Sequence, residues 1–339
     1  MKKALTFSDV LIVPKYSTIR SRSEVDLTTK LGKHISIKLP VIAANMKSVC
    51  GLAMVQAMHS EGGIGFLHRF KTIEEAIVDA QVLKEEGIPF GVSIGVQEED
   101  KHRFVELYEY GARVFVIDVA HGDHILVKEM LHWIQSSHPT LYKEADFIAG
   151  NIATGDAALR LIEWGATCVK VGIGPGRACT TRKNTGIGMP QLTALEMVNG
   201  AIESHNADCS VISDGGITCI GDIAKALGYY ADAVMVGSFI SGTTETPGKV
   251  FKDETGSYYK VYSGSASGEN KHDNGQPTDF VEGISIKVPF RGHVKYVLRE
   301  IRDGLRSAFS YVGASNLEEF RANCEFIELS GGGKAESKL

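Results

Sequence analysis

The stretch RVFVIDVAHGDHILVKEMLHWIQSSHPTLYKEADFIAGNI, residues 113–152, contains the unit from which the fold can be predicted. A short apolar run rich in Val and Ile stands at its start, a second apolar run stands at its end, and an amphipathic helical stretch separates them. Near-continuous apolar strands that alternate with helices are typical of a parallel sheet covered on both faces. The stretch therefore predicts a strand, a helix and a second, parallel strand.

The same unit recurs along the chain. Its apolar runs are PVIAANM (40–46), GIGFLHRF (63–70), PFGVSIGV (89–96), RVFVIDVAH (113–121), DFIAGNI (146–152), CVKVGIG (168–174), CSVISDGG (209–216) and AVMVGSF (233–239). Eight such units in about 250 residues match the size of an α/β protein of the (β/α)8 TIM barrel type. An open doubly wound sheet is the alternative, but it usually uses fewer strands for one site.

We predict one (β/α)8 barrel domain over residues 1–339, with a short active-site flap at 263–290, terminal helices and a flexible tail at 331–339. The chain has 339 residues, of which 43% are hydrophobic and 23% charged, with a formal charge of −5 at pH 7. This composition is typical of a soluble protein with one large core. We expect no membrane partner, because no apolar run approaches the roughly 20 residues of a membrane helix.

Charge and cysteine usage exclude further classes of protein. The mild acidic excess comes without basic clusters, so we expect no nucleic-acid partner. The six cysteines lie far apart with no CxxC pair, which indicates neither a zinc site nor a disulfide framework. The first residues, MKKALT, lack the apolar stretch of a secretory signal, and we expect an intracellular protein.

Polar residues gather directly after the predicted strands. They are Asn45, His68, Asp118 with His121, Asn151, the loop 172–191, Asp214 with Gly215 and Gly216, and Gly237 with Ser238. Each alone has an ordinary explanation as a helix cap or a turn residue. Together they would meet at the C-terminal face of the barrel, which is where barrel enzymes place their active sites. The joint pattern predicts an enzyme site at that face.

The loop GIGPGRACTTRKNTGIGMPQ (172–191) carries the strongest chemical signal. Its first glycines let backbone carbonyls and amides turn toward a bound ion or anion. The side chains around Cys179 are polar or cationic, conditions that favour an exposed thiolate, and these neighbours are Arg177, Thr180, Thr181 and Arg182. We predict that Cys179 is a nucleophile. The thiols predicted to be buried and apolar are Cys50, Cys168, Cys209 and Cys324.

The same loop carries a resemblance to a known family. GIGPG, two further residues, CTTR and then GxGxPQ form its core, and further matching stretches are LTFSDVLIVP, PVIAANM, GIGFLHRF, AGNI, SDGGI and GLRSAFSYVGA. On these motifs the chain resembles the IMP dehydrogenase/GMP reductase family over almost its whole length. The resemblance implies a barrel that binds a purine nucleotide, a cysteine that attacks purine C2, a nicotinamide cofactor that exchanges hydride at C2, a potassium ion held by the glycine loop, and a homotetramer.

Finer features separate the two branches of that family. The dehydrogenase branch carries an adjacent Arg-Tyr pair on a long mobile flap, whereas residues 264–290 contain neither Arg nor Tyr. Most dehydrogenases also insert a regulatory module where this chain has only about twenty residues, between His68 and Gly91. SRSEVDL (21–27), AANM and RKNTGIG resemble the reductase branch, and GTTETPG (242–248) resembles the dehydrogenase branch.

On balance the resemblance implies the reductase reaction, in which GMP and NADPH give IMP, ammonia and NADP⁺. The alternatives are an IMP dehydrogenase without the regulatory module and a non-catalytic guanine-nucleotide sensor. By the resemblance Cys179 would attack C2, and Thr181 with Glu282 of DFVEGISIKVPF would protonate the leaving amine. If Glu282 is not the acid, His68 and His121 are the next candidates.

The resemblance also implies the ligand contacts. Asp214 would accept from the ribose hydroxyls, and Arg177 would either bind the phosphate or point to solvent. The remaining nucleotide contacts would be Met46, Asn151, Gly215, Gly216, Gly237, Ser238 and Tyr262. NADPH would contact Asp118, Val119, Ala120, Gly172 and Gly174, with Arg69 near its 2′-phosphate. The potassium ligands, largely main-chain carbonyls, would come from Gly174, Gly176, Cys179 and Arg182.

The chain ends in GGGKAESKL, and its last three residues are Ser337, Lys338 and Leu339. The composition of this segment predicts flexibility. An SKL ending is read as a peroxisomal address, or as a glycosomal one in organisms with that organelle. We expect a cytoplasmic protein, with the peroxisome or glycosome as the alternative.

Overall fold

In the computed structural model, which describes residues 3–268, 272, 278 and 280–337, eight parallel strands close into a barrel. In chain order, the strands of these residues are β1 (Val10–Ile12), β2 (Thr29–Leu31), β3 (Ile35–Ile37), β4 (Val41–Ala43), β5 (Ile64–Leu67), β6 (Gly91–Ile94), β7 (Val114–Asp118), β8 (Asp146–Ile152), β9 (Cys168–Val171), β10 (Ser210–Asp214), β11 (Ala233–Val236), β12 (Phe251–Lys252), β13 (Tyr258–Ser263), β14 (Ser285–Pro289) and β15 (Phe326–Glu328). Strands β4 to β11 form the barrel in sequence order, and β11 pairs with β4 to close it. Each predicted apolar run contains one barrel strand, so the predicted (β/α)8 barrel is confirmed.

Helices cover the outside of the barrel. They are α1 (Leu52–Ser60), α2 (Ile73–Glu85), α3 (Glu98–Glu109), α4 (Ile125–Ser137), α5 (Pro139–Glu144), α6 (Gly155–Glu163), α7 (Thr181–Thr185), α8 (Gln191–Ser204), α9 (Ile220–Gly228), α10 (Val294–Tyr311), α11 (Leu317–Asn323) and α12 (Gly331–Glu336). Local chemistry sets their ends: the Thr72 hydroxyl accepts from Glu75 N at 3.2 Å and so caps α2. The described part of the chain contains no helix with the length and apolar character needed to cross a membrane.

The core lies between the barrel and its helices. Strand residues such as those of β9 are buried along their whole length, which explains why the runs in the sequence are nearly continuous rather than alternating. Phe104 of α3 packs against Phe115 of β7 with ring centroids 4.7 Å apart and against Phe147 of β8 at 5.9 Å. Each of these rings contributes roughly 1.5–3 kcal/mol by its burial.

Segments near the two ends of the chain pair with each other. Strand β1 pairs antiparallel with β15, and the rings of Phe309 in α10 and Phe320 in α11 stack with centroids 3.9 Å apart. The predicted terminal helices are therefore present. The hairpin formed by β2 and β3 lies at the N-terminal end of β8, where Asp146 accepts from the amide of His34 at 2.8 Å.

Two predicted segments lie outside the barrel. The predicted flap, 263–290, begins at the end of β13 and includes β14, and these two strands form a small antiparallel sheet with β12. Residues 269–271, 273–277 and 279 of the flap lie outside the described residues. In the tail, where we expected flexibility, residues Gly331–Glu336 form the short helix α12, because the Ser330 hydroxyl accepts from Gly333 N at 3.2 Å. The Lys334 ammonium in this helix pairs with Asp9. Lys338 and Leu339 lie outside the described residues.

Candidate active site

The loop that follows β9 turns toward the end of β10. Gly172 adopts φ 151°, and a Cβ at this position would lie 1.9 Å from the carbonyl oxygen of Asp214. Only glycine allows this approach of two backbones. The loop is held from below by Gln191, whose amide donates to the Val171 carbonyl at 2.7 Å and to the Ser213 hydroxyl at 3.1 Å. The local sequence therefore places the cysteine loop over the C-terminal face of the barrel.

The three residues predicted to be catalytic meet at this loop. Cys179 is half-buried, and its thiol donates to the Thr181 hydroxyl at 3.2 Å. The Thr181 hydroxyl donates in turn to Glu282 Oε2 at 2.6 Å, across 101 residues of sequence. A continuous hydrogen-bonded chain thus runs from a thiol through a hydroxyl to a carboxylate, and this arrangement can carry a proton between sulfur and carboxylate.

Main-chain bonds hold the flap against the cysteine loop. Cys179 and Gly283 form an antiparallel bridge, Thr180 N donates to the Glu282 carbonyl at 2.9 Å, and Ile284 N donates to the Ala178 carbonyl at 2.9 Å. Gly283 is buried here, and there is no room for a side chain, since a Cβ on it would lie 2.9 Å from Ser267 N. The position of the Glu282 carboxylate is therefore fixed by backbone pairing between two segments far apart in sequence.

The other thiols lie in apolar or outer positions. Cys50 and Cys168 are fully buried, as predicted, and burial raises the pKa of both thiols, to about 12 for Cys50. Cys209 and Cys324 are half-buried rather than buried, because they stand at the ends of elements, yet burial still raises the pKa of each to about 12. Such thiols stay protonated at neutral pH and are poor nucleophiles.

Asp214, the predicted ribose contact at the end of β10, is held by two neighbours. Its Oδ2 accepts from the Asn151 amide at 2.8 Å and from the Lys170 ammonium at 3.0 Å. The Asn151 amide also donates to the Gly172 carbonyl at 2.8 Å, which ties the end of β8 to the start of the cysteine loop. Asp214 Oδ1 makes no hydrogen bond with the described residues, so it is available to accept from a ligand hydroxyl.

Lys170 is a site residue that the sequence prediction missed. It is only 2% exposed, and its ammonium donates to Asp118 Oδ1 at 3.2 Å, to Asp214 Oδ2 at 3.0 Å and to the side-chain oxygen of Asn151. Burial acts to lower the Lys170 pKa, but the two carboxylates outweigh it and raise the pKa above its ordinary value. The available signal was a lysine inside the otherwise apolar run CVKVGIG.

A second group of predicted contacts lies around Tyr262 of β13. Its hydroxyl donates to the Met46 sulfur at 3.6 Å, and a Cβ on Gly237 would lie 2.9 Å from that hydroxyl. Burial raises the pKa of Tyr262, the negative charge of Asp214 raises it further, and the charge of Arg177 opposes the rise. The Arg177 side chain is exposed, and Ser238 is half-buried beside Gly237.

The turn after β10 faces the cysteine loop. A Cβ on Gly215 would lie 2.9 Å from Pro175 Cγ and 3.1 Å from Gly176 N, and a Cβ on Gly216 would lie 3.5 Å from Pro175 Cβ. This contact brings the predicted phosphate-binding glycines against the loop of Cys179. Backbone amides of such a glycine turn can bind an anion.

Of the residues predicted to hold potassium, Gly174 lies close to Arg182 and Gly176 lies close to Cys179. A Cβ on Gly174 would lie 2.5 Å from Arg182 Cγ, and a Cβ on Gly176 would lie 3.5 Å from the Cys179 Cβ. The Arg182 guanidinium donates to the Met189 carbonyl, which closes the loop on itself. Among the described residues there is no group of three or more His, Cys, Asp or Glu side chains suited to a metal.

The residues predicted for the nicotinamide cofactor lie after β7 and β5. Val119 N donates to the Gly150 carbonyl at 3.2 Å and fixes the segment after Asp118, whereas Ala120 is exposed. The buried Nε of Arg69 makes no hydrogen bond with the described residues, and its guanidinium lies 5.2 Å from the Phe70 ring centroid. An unpartnered buried guanidinium nitrogen fits a role in binding an anionic group.

The two histidines named as alternative acids differ in position. His68 is buried, and burial together with Lys71 and Lys47 lowers its pKa to about 4. Its Nδ1 accepts from Phe70 N at 3.1 Å, so the ring is neutral at neutral pH and cannot serve there as a strong acid. His121 is exposed on the loop after β7.

The barrel and the cysteine loop define a class, namely (β/α)8 barrel proteins with a cysteine thiol hydrogen-bonded through a hydroxyl to a carboxylate at the C-terminal face. Within this class, a family model described as IMP dehydrogenase / GMP reductase domain matches residues 4–339, and the chain belongs to that family.

Relatives in both branches are similar over almost their whole length. Inosine-5′-monophosphate dehydrogenase of Borreliella burgdorferi is 33% identical, covering 99% of this chain and 96% of its own. GMP reductase of Buchnera aphidicola is 37% identical, covering 96% of this chain and 94% of its own. The crystal structure of a cysteine-to-alanine variant of GMP reductase from Trypanosoma brucei, in complex with guanosine 5′-monophosphate, superposes with a TM-score of 0.93 at 27% identity and covers 100% of this chain and 98% of its own.

Proposed function

We propose that this protein catalyses the NADPH-dependent reductive deamination of GMP to IMP and ammonia. The observation that carries the proposal is the hydrogen-bonded chain from the Cys179 thiol through Thr181 to Glu282. Support also comes from the relatives named GMP reductase and from the structural neighbour that holds guanosine 5′-monophosphate.

The direction of these hydrogen bonds gives the protein part of the chemistry. The thiol proton passes through the Thr181 hydroxyl to the Glu282 carboxylate, which leaves a thiolate at Cys179. The thiolate forms a C–S bond at C2 of guanine, and Glu282 returns the same proton through Thr181 to the departing amine as the C2–N bond breaks. One proton thus activates the nucleophile and then completes ammonia. NADPH, when bound, supplies the hydride that C2 receives as the C–S bond breaks.

The proposal assigns the nucleotide contacts as follows. Asp214 Oδ1 accepts from the ribose hydroxyls, and Tyr262 with the glycine turns binds the phosphate. The residues assigned to the nucleotide are Met46, Asn151, Arg177, Asp214, Gly215, Gly216, Gly237, Ser238 and Tyr262. The contact of Tyr262 with Met46 and the approach of Gly237 to Tyr262 support a single pocket for these groups.

We assign NADPH to Asp118, Val119, Ala120, Arg69, Gly172 and Gly174, with the unpartnered Arg69 guanidinium as the partner of the 2′-phosphate. Potassium is assigned to the main-chain carbonyls of Gly174, Gly176, Cys179 and Arg182. Its chemistry would be to hold the loop closed around the thiol. The proposal includes a cytoplasmic homotetramer, with the peroxisome or glycosome as the alternative location.

A dehydrogenase reaction is the competing proposal, since inosine-5′-monophosphate dehydrogenases are among the relatives. It requires a water to hydrolyse the covalent intermediate, and residues 264–290 lack the Arg-Tyr pair of that branch. The intact chain from Cys179 to Glu282 argues against a sensor without catalysis.

The test is a pair of assays on the purified protein. One mixture contains GMP and NADPH, the other IMP and NAD⁺, and absorbance at the NADPH band is followed in both. We expect NADPH consumption and IMP formation in the first mixture and essentially no XMP in the second. Robust XMP formation would identify a dehydrogenase, and no turnover in either mixture despite GMP binding would identify a sensor.

A further inference from the structure

The Lys170 side chain lies among the C-terminal ends of three neighbouring strands, two of which carry an aspartate there. It belongs to β9, which pairs with β8 on one side and β10 on the other, with Lys170 opposite Gly150 and Ile212. The three groups that it contacts come from three different strand ends, namely Asp118 from β7, Asn151 from β8 and Asp214 from β10. The lysine is therefore enclosed by the C-terminal face of the barrel.

All three donors of the Lys170 ammonium are used by these neighbours. An ammonium has three N–H donors, and the two carboxylates and the Asn151 oxygen accept one each. With its side chain only 3% exposed, Lys170 has no donor left for a ligand. Its effect on any ligand must therefore pass through the groups that it holds.

The two carboxylates serve different ligands under the proposed function. Asp214 is assigned to the nucleotide ribose and Asp118 to the nicotinamide side. Each gives one oxygen to Lys170, and their side chains remain 24% and 19% exposed. One ammonium consequently neutralises and orients a carboxylate in each of the two proposed binding sites.

We propose that Lys170 is a positioning residue shared by the GMP and NADPH sites, which neutralises and orients Asp118 and Asp214. The inference rests on the proposed function. Without the cation, two partly buried carboxylates would lack their positively charged neighbour, and neither would be held in the orientation that its ligand requires.

The test compares Lys170→Met and Lys170→Arg with wild type by calorimetric titration of GMP alone and of NADP⁺ alone. We expect the Met variant to lose roughly tenfold or more in affinity for both ligands, the scale of one charge-assisted hydrogen bond. Both affinities should fall in the same variant, because one ammonium holds both carboxylates.

Lys170→Arg keeps the charge and should retain most of the affinity for both ligands. Lys225→Met is the matched control, since Lys225 donates to the Phe7 carbonyl at 2.8 Å on the outer helix α9, and its loss should alter neither affinity. Lys170→Gln replaces the Met variant if the latter does not fold.

Unchanged affinities in the neutral variant, a loss confined to one ligand, or an equal loss in the neutral and Arg variants would overturn the assignment of Lys170. Failure of wild type itself to bind GMP would instead contradict the proposed function, and the inference would fall with it.

Discussion

At the scale of single residues, the direction of the hydrogen bonds around Thr181 decides what Cys179 can do. The hydroxyl accepts from the thiol and donates to Glu282, so the carboxylate is the final acceptor. A lone cysteine in a glycine-rich loop could equally be an apolar filler. The carboxylate behind Thr181 distinguishes Cys179 from Cys50, whose thiol is fully buried and has a pKa raised to about 12.

Replacing Cys179 by Ala tests the nucleophile. We expect turnover of GMP and NADPH to be lost, because no other group can form the C–S bond, while GMP binding stays nearly intact, since the ribose and phosphate contacts lie on other loops. Steady-state rates and a binding titration measure the two effects. Cys219→Ala, at an exposed thiol on the barrel exterior, is the control. Residual activity above about a hundredth of wild type, a loss below ~3 kcal/mol, would refute covalent catalysis through this thiol.

At the scale of elements, the site depends on the docking of the flap against the cysteine loop. The bonds from Thr180 N to the Glu282 carbonyl and from Ile284 N to the Ala178 carbonyl are both 2.9 Å long. They align the two segments as a short antiparallel pair around Cys179 and Gly283. The Cys179 thiol and the Glu282 carboxylate are thus positioned by backbone pairing, so under the proposed function a change in the flap main chain should act on chemistry more than on binding.

Gly283→Ala should separate the flap from the loop. The added Cβ would lie 2.9 Å from Ser267 N and 3.1 Å from the Ala266 carbonyl carbon, so the flap backbone must shift and carry Glu282 with it. We expect kcat to fall by roughly tenfold to a hundredfold, the effect of a misplacement of about 1 Å, with little change in GMP affinity or Tm. Gly200→Ala, in helix α8 with open space around it, is the control. Unchanged kcat in the Gly283 variant would mean that flap docking does not limit the reaction.

At the scale of the whole molecule, the barrel brings together residues that are far apart in sequence. The apolar runs predicted every barrel strand, because burial on both faces requires nearly continuous hydrophobic residues. The same reasoning placed Asp118, Asn151 and Asp214 at one face. It could not show that they share Lys170, since strand periodicity does not report which side chains converge inside a barrel. The pairing of β1 with β15, across more than three hundred residues, has no local signal either.

The prediction of Glu282 as a site residue came from the family resemblance rather than from strand periodicity. Taken alone, a glutamate in a loop is usually solvated. Only the resemblance of DFVEGISIKVPF to a family motif predicted its role, and the hydrogen bond to Thr181 now gives that prediction a physical basis. Helix α12, in contrast, was not predicted from the composition of the glycine-rich tail, and it is accompanied by the Ser330 cap and by the pairing of Lys334 with Asp9.

The role of Glu282 as the proton carrier is tested most directly by Glu282→Gln, which keeps shape and hydrogen bonding but removes the titrating carboxylate. Single-turnover mixing with GMP and NADPH measures deamination, and mixing with IMP and NADP⁺ measures the reverse hydride step by the appearance of NADPH. Glu254→Gln, at an exposed position, controls for the substitution. We predict that deamination slows by roughly 10²-fold or more while the hydride step is less affected, because deamination uses the carboxylate both to accept the thiol proton and to protonate the leaving amine, whereas the hydride step uses it only to accept the thiol proton. Equal slowing of both steps would contradict the role of Glu282 as the acid for the leaving amine.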